Sequence, residues 1–165
     1  MKIALTGHRP KRLSLPDDEK SNEWLYITNW LNTVIFNEFI HNQHIDFYCG
    51  MASGSDITLG IIVSEMKRMG KDVSLHCILP CKNYNSSHPY YNEIKNAADE
   101  WVTLADNFYK GCDNVRDQYM VDHCDILLAV WDGNKSGGVW STIRKAQKIG
   151  KKIIYCPKEV LYKTI

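Results

Sequence analysis

Ile126–Trp131 (ILLAVW) is apolar on successive residues, and this constrains the fold more than any other stretch. A strand with one wet face alternates apolar and polar residues, so an unbroken apolar run is a strand covered on both sides. Such coverage belongs to a parallel sheet whose strands are joined by helices. The rest of the chain repeats the theme. Lys2–Thr6, Ile45–Tyr48, Val73–Leu79, Trp101–Ala105 and Lys152–Cys156 are further short apolar segments. Helical spacing lies between them. The first helix is expected to start at Pro16, with Asp17, Asp18 and Glu19 in its first turn, and to run to His41. Others are expected over Ile57–Met69, closed by Gly70, after Pro89 through Ala98, from a cap at Asp113 to Cys124, and over Val139–Ile149, stopped by Gly150. The expected fold is α/β: one Rossmann-like domain over residues 1–165, a mostly parallel sheet flanked by helices on both faces.

Charge narrows the function classes. Twenty Lys and Arg face 19 Asp and Glu, a net charge of +1, which argues against a strongly basic nucleic-acid binder while leaving room for a local patch. The opening MKIALTG has too short an apolar stretch for a signal peptide, and no later stretch has transmembrane length, so the expectation is a cytoplasmic protein with no membrane role. The six cysteines form no C-x-x-C pair, and Cys49, Cys77 and Cys156 lie in or beside apolar runs. They read as reduced core residues, with neither a disulfide framework nor a zinc site, and no metal or cofactor is expected. His41 and His44 are read as surface residues.

In a parallel sheet, every strand-to-helix loop leaves at the carboxyl edge, where open α/β folds bind ligands. The loops concerned are Gly7–Pro10, Gly50–Asp56, Pro80–His88 and Asp132–Gly138. In Gly50–Asp56 (GMASGSD), Gly50 and Gly54 permit positive φ and close approach, and Ser55 is placed to cap the following helix. The helix amides and dipole there favour an anion, although such a turn also serves as a plain tight connection. The turn is neither a Walker A loop nor a G-x-G-x-x-G fingerprint. Arg9, held extended by Pro10, presents a guanidinium suited to phosphate. Arg116, in the first turn of its helix, opposes the helix dipole unless an anion, Asp113 or Asp117 offsets it.

TGHRP (Thr6–Pro10), GMASGSD (Gly50–Asp56), the Arg-x-x-x-Met-Val-Asp run Arg116–Asp122 and AVWDG…GG (Ala129–Gly138) occur in one order across nearly the whole chain. Together they resemble the YpsA-like branch of the SLOG superfamily, a Rossmann-like group common in Firmicutes and their phages. The resemblance implies a nucleotide or nucleotide-derivative pocket at the carboxyl edge. Its relatives include the Lonely Guy phosphoribohydrolases and the DNA-processing protein A (Smf) family. The phosphoribohydrolases carry Gly-Gly-x-Gly-Thr-x-x-Glu, where this chain reads Ser136-Gly137-Gly138-Val139-Trp140-Ser141-Thr142-Ile143, without the Glu. Val139 also replaces the Thr usual after the paired glycines.

The expected ligand-binding set is Gly7, His8, Arg9, Gly50, Ser53, Gly54, Ser55, Asp56, Arg116, Asp132, Gly133, Gly137 and Gly138. Should a reaction occur, Asp56, Asp132 and His8 are the candidate catalytic groups, with His88 a further proton donor. Asp56 could instead serve only the helix N-terminus, and Asp132 only its turn. Tyr84, Tyr90, Tyr91 and Trp140 are the aromatics placed to stack on a base, or to pack between helices. Two main functions stay open: a binding protein for a nucleotide or nucleotide-derived ligand, and a nucleotide N-glycosidase or deoxyribosyltransferase-like enzyme. A DNA-associated module is the weaker third, given the charge balance. Homo-oligomerisation is expected by resemblance, with Tyr26, Trp30, Phe36 and Phe39 supplying apolar surface beyond one buried stripe.

Overall fold

A computed structural model describes residues 1–39 and 44–162, with the backbone alone at 38 and 39. His41 lies outside the described residues. Six strands form one sheet: β1 (Lys2–Gly7), β2 (Ile45–Cys49), β3 (Val73–Leu79), β4 (Glu100–Thr103), β5 (Ile126–Val130) and β6 (Lys152–Tyr155). Their order is β4-β3-β2-β1-β5-β6, and every pairing is parallel. From β1 the chain builds outward to β4, then returns to lay β5 on the other side of β1. The reversal between β1 and β5 is the switch point at which doubly wound sheets open a crevice. All five residues of β5 are buried, as its unbroken apolar sequence requires.

Alternation along the strands feeds two cores. Ile3, Leu5, Phe47, Leu75 and Leu128 face a cluster that includes Leu31 of α1 (Leu25–Val34), Ile57 and Ile62 of α2 (Ser55–Arg68), Ile94 of α3 (Tyr91–Ala97) and a small C-terminal helix (Lys158–Tyr162). Ala4, Tyr48, Ile78 and Leu127 face Met120, Val121 and Cys124 around α4 (Cys112–His123), and Ala146 of α5 (Gly137–Lys148). All six cysteines are free and buried. Among the described residues, no helix is long and apolar enough to cross a membrane.

The first helix departs from expectation. Residues after Pro16 do not start it; two short 3₁₀ turns (Pro10–Leu13, Asn22–Trp24) precede α1, which passes into a π-helical turn at Ile35–Phe39. The acids expected in a first turn are engaged at long range instead. Asp18 Oδ1 accepts from the Tyr90 hydroxyl at 2.5 Å, and Glu19 turns inward, 3% exposed. Two helix caps differ as well: Gly54 caps α2 and Gly111 caps α4, in the places expected for Ser55 and Asp113. α5 starts at Gly137, two residues before Val139.

Candidate functional site

The crevice between the ends of β1 and β5 holds a cavity of about 370 Å³. Gly7, His8, Arg9, Asp56, Arg116, Gly137 and Gly138 of the expected set line it, joined by Arg12, Asp113 and Asp117. Gly50, Ser53, Gly54, Ser55, Asp132 and Gly133 do not line it, and several of these support it from behind.

β1 delivers His8 and Arg9. The His8 amide donates to Val130 O at 3.1 Å, continuing the β1–β5 ladder by one residue. Its ring is buried, and Nε2 stands 3.1 Å from Asp132 Oδ1. Burial pulls the imidazole pKa below 6.5, and attraction to Asp132 offsets only part of this, so His8 is neutral at pH 7. Arg9 is extended (φ −74°, ψ 161°) and donates to the Tyr84 hydroxyl at 3.1 Å. The 3₁₀ turn that follows brings Arg12, three residues on, to the same side, where Nε donates to Asp132 Oδ2 at 2.7 Å. Burial works against the charge of Asp132, yet the bonds from Arg12 and the Asn134 amide, with His8 nearby, hold its pKa down to about 2. Asp132 is therefore a fixed anion that positions Arg12 and His8.

The Gly50–Asp56 turn uses its backbone on the protein itself. Gly54 N–H donates to Glu19 Oε1 at 2.7 Å, Ser55 N–H to His8 O, and Ala52 N–H to Asp56 Oδ2 at 3.3 Å. Ser53 Oγ accepts from Asn85 Nδ2, and Ser55 Oγ donates to His8 O at 3.0 Å. Positive φ falls on Met51 (63°) and Gly54 (95°), whereas Gly50 is needed for space: a Cβ there would lie 2.7 Å from Asp56 Oδ2. A Cβ on Gly7 would meet that of Ser55 at 2.4 Å, so β1 and α2 touch through glycine.

Asp56 is the titratable centre of the cavity. Its burial raises the carboxyl pKa from 3.8 to about 6, against the pull of the Arg116 charge and with the push of Asp117. Arg116, 6% exposed, donates to Gly50 O at 2.8 Å and to Asp117 Oδ1 at 3.0 Å, and lies 5.6 Å above the Tyr84 ring. Burial opposes its charge, but Asp117, Asp56 and Tyr84 raise its pKa overall.

The opposite wall is the start of α5. Its cap, Ser136, makes no capping bond, and the amides of Gly137–Val139 have no partner among the described residues. No acid sits in this first turn, so the N–H groups of Gly137–Val139 and the positive end of the helix lie at the cavity wall unopposed. The other expected aromatics and His88 lie away from it. Tyr91 meets Trp101 edge-on, Trp140 stacks on Trp131 at 5.3 Å, Tyr90 bonds Asp18, and His88 pairs with Glu19.

Sequence reasoning did not place Arg12, Asp113 and Asp117 in the site. Arg12 carried a signal in its three-residue spacing from Arg9 across a proline-led turn, and Asp113 and Asp117 in their place beside Arg116, whose charge they were expected to offset.

Fold and crevice together define an open, doubly wound α/β protein with an ion-lined pocket at its switch point. A family model, YpsA, described as the YspA SLOG family, matches residues 3–162, and the chain belongs to that family. No curated protein matches it.

Proposed function

We propose that the crevice binds a nucleotide-derived ligand through its phosphate, with the sugar beside Asp56 and Asp117. Membership of the SLOG family supports nucleotide-related binding or glycosidase-like chemistry without naming a ligand. The observation that carries the reading is the unpartnered amides of Gly137–Val139 in the wall of a cavity that also holds Arg9 and Arg12. Backbone donors at a helix start, with guanidinium groups opposite, are phosphate ligands. Gly138 supplies the test. A Cβ there meets nothing within 4 Å of the protein, so Gly138→Ala folds normally while placing a methyl group at the amides. Native mass spectrometry of the purified protein identifies a retained nucleotide, and calorimetry then compares variants. Arg9→Ala is expected to weaken binding by about 1.5–3 kcal/mol, and Gly138→Ala comparably. Wild-type affinity in both would place the phosphate elsewhere.

A second reading, N-glycoside cleavage, rests on Asp56. A carboxyl with a pKa of about 6, sharing a cavity with Asp113 and Asp117, can donate a proton to a departing base near neutral pH. Release of free base from the bound nucleotide, abolished in Asp56→Asn with binding retained, selects this reading. Binding without release selects the first.

A further inference from the structure

The net charge of +1 hides an uneven distribution. Between Asp132 and Glu159 stand seven Lys and Arg residues and no Asp or Glu, so all 19 acids fall on the rest of the chain. That stretch is α5, β6 and the turns around them. None of its cations makes an ion pair among the described residues; the Lys and Arg pairs all belong to residues before it. Charge alone would make only a soluble surface. Here a second feature shares it.

Three aromatic rings stand in a row along the same edge. Trp140, near the start of α5, stacks on Trp131 with centroids 5.3 Å apart, and Tyr155, the last residue of β6, tilts against Trp131 at 6.0 Å. The two tryptophans are half-buried, and the row ends on Tyr155, 41% exposed. Lys135 and Arg144 hold their charges 5.7 and 5.8 Å from the Trp140 centroid. Arg144 follows Trp140 by four residues and Lys148 follows Arg144 by four, so the three share one side of α5. Gln147, on that side too, donates to the Tyr155 hydroxyl at 3.4 Å, which ties the basic helix side to the end of the row. Lys135, Arg144 and Lys148 are exposed, whereas Lys145 and Lys151 turn aside to Asn114 and to Cys124 O. β6 is the end strand, so the sheet does not continue past this edge.

We propose that this edge binds single-stranded nucleic acid, with phosphates on Lys135, Arg144 and Lys148 and an unstacked base on Tyr155. Unpaired cations draw the phosphate backbone, and an exposed ring beside them takes the face of a base whatever its identity. A duplex keeps those faces stacked inside itself, and an acidic peptide would meet the cations without using the ring. None of Lys135, Arg144, Lys148 and Tyr155 lines the crevice, so the proposal does not depend on what the crevice binds.

The test uses the full chain and fluorescein-labelled oligo-dT and oligo-rU strands of about 15 nucleotides, read by anisotropy. Three phosphate contacts give log K against log salt a slope of about −2, a loss of about twentyfold from about 50 to about 200 mM KCl. Replacing two of them, Arg144→Gln with Lys148→Gln, should flatten the slope to about −0.7. Tyr155→Ala should weaken binding about tenfold at fixed salt, and Tyr155→Phe, which keeps the ring, should restore it. Linear polyphosphate of matching charge, which has no bases, should compete about tenfold less well than unlabelled strand. Tighter binding of dT names DNA as the ligand, and tighter binding of rU names RNA. Absence of saturable binding at the lowest salt overturns the proposal, as does full affinity in Tyr155→Ala or equal competition by polyphosphate. So does binding that Arg9→Ala weakens and the double α5 variant does not, which would put the strand in the crevice.

Discussion

Asp56→Asn reads the electrostatics of the crevice as a change in stability with pH. Burial raises the carboxyl from 3.8 to about 6 in the folded protein, and the unfolded chain returns it to near 3.8. A shift of roughly two units, at about 1.36 kcal/mol each, makes the group's contribution to stability vary by about 3 kcal/mol across that window. The folded carboxyl holds its proton more tightly than the unfolded one. Its contribution is therefore fully present below pH 3.8 and is lost as pH rises through about 6. His8 and Asp132 act in the opposite sense. His8, pulled below 6.5, costs stability as pH falls, and Asp132, held at about 2, loses its contribution between 3.8 and 2. Both remain in the variant, so subtracting the two curves removes them to first order. Urea melts of wild type and Asp56→Asn at half-unit steps from pH 4 to 8 are expected to show the variant gaining about 3 kcal/mol relative to wild type between pH 4 and 7, then levelling. A flat difference, or one of opposite slope, would refute the reasoning. It would mean that the Arg116 charge outweighs the desolvation of Asp56.

Gly54→Ala is expected to cost about 2 kcal/mol or more in a urea melt, because φ is 95° and the new Cβ would lie 2.8 Å from His8 O and 2.9 Å from Pro10 Cδ. A loss under about 0.5 kcal/mol would mean that the turn relaxes freely. Self-association through the outer face of α1, where Tyr26 is 47% exposed, should appear in light scattering as a dimer or larger species that Tyr26→Glu disperses. A wild-type monomer at high concentration rejects that interface.

Much of the fold was legible because it rests on local patterns. β3 spans Val73–Leu79 as the apolar run does, and β5 ends one residue short of Trp131. The parallel architecture followed from β5 being apolar on both faces, and with it the gathering of the β1, β2 and β5 loops at one edge. The misread segment is the one whose partners are remote. Acids after a proline carry the local signature of a helix start, yet Glu19 serves Gly54, 35 residues on, and lies against His88, 69 residues on. No window along the chain contains both ends of those bonds. Asp113 and Asp117 were read only as charge partners of Arg116, since nothing local shows that their helix turn also lines the cavity.

The two glycine turns show how far a motif goes as physical evidence. By sequence they are alike, each a glycine-rich turn between an apolar strand and a helix, with two glycines in the first and three in the second. In the structure the first has its Gly54 and Ser55 amides committed to Glu19 and to the His8 carbonyl, and its glycines permit close packing and positive φ. The second has partnerless amides at the head of α5 and open space where both Cβ atoms would be. A glycine whose missing side chain would strike protein is there for the fold. One whose missing side chain would point into open space at a helix N-terminus leaves its amide open to an anion. On that criterion the proposed phosphate site lies at the head of α5 around Gly138, with Gly137 (φ 83°) also serving the turn's backbone, and the Gly50–Asp56 turn offers the Asp56 carboxyl rather than an anion cradle. Gly54→Ala should therefore damage stability first and binding through it, whereas Gly138→Ala should damage binding alone.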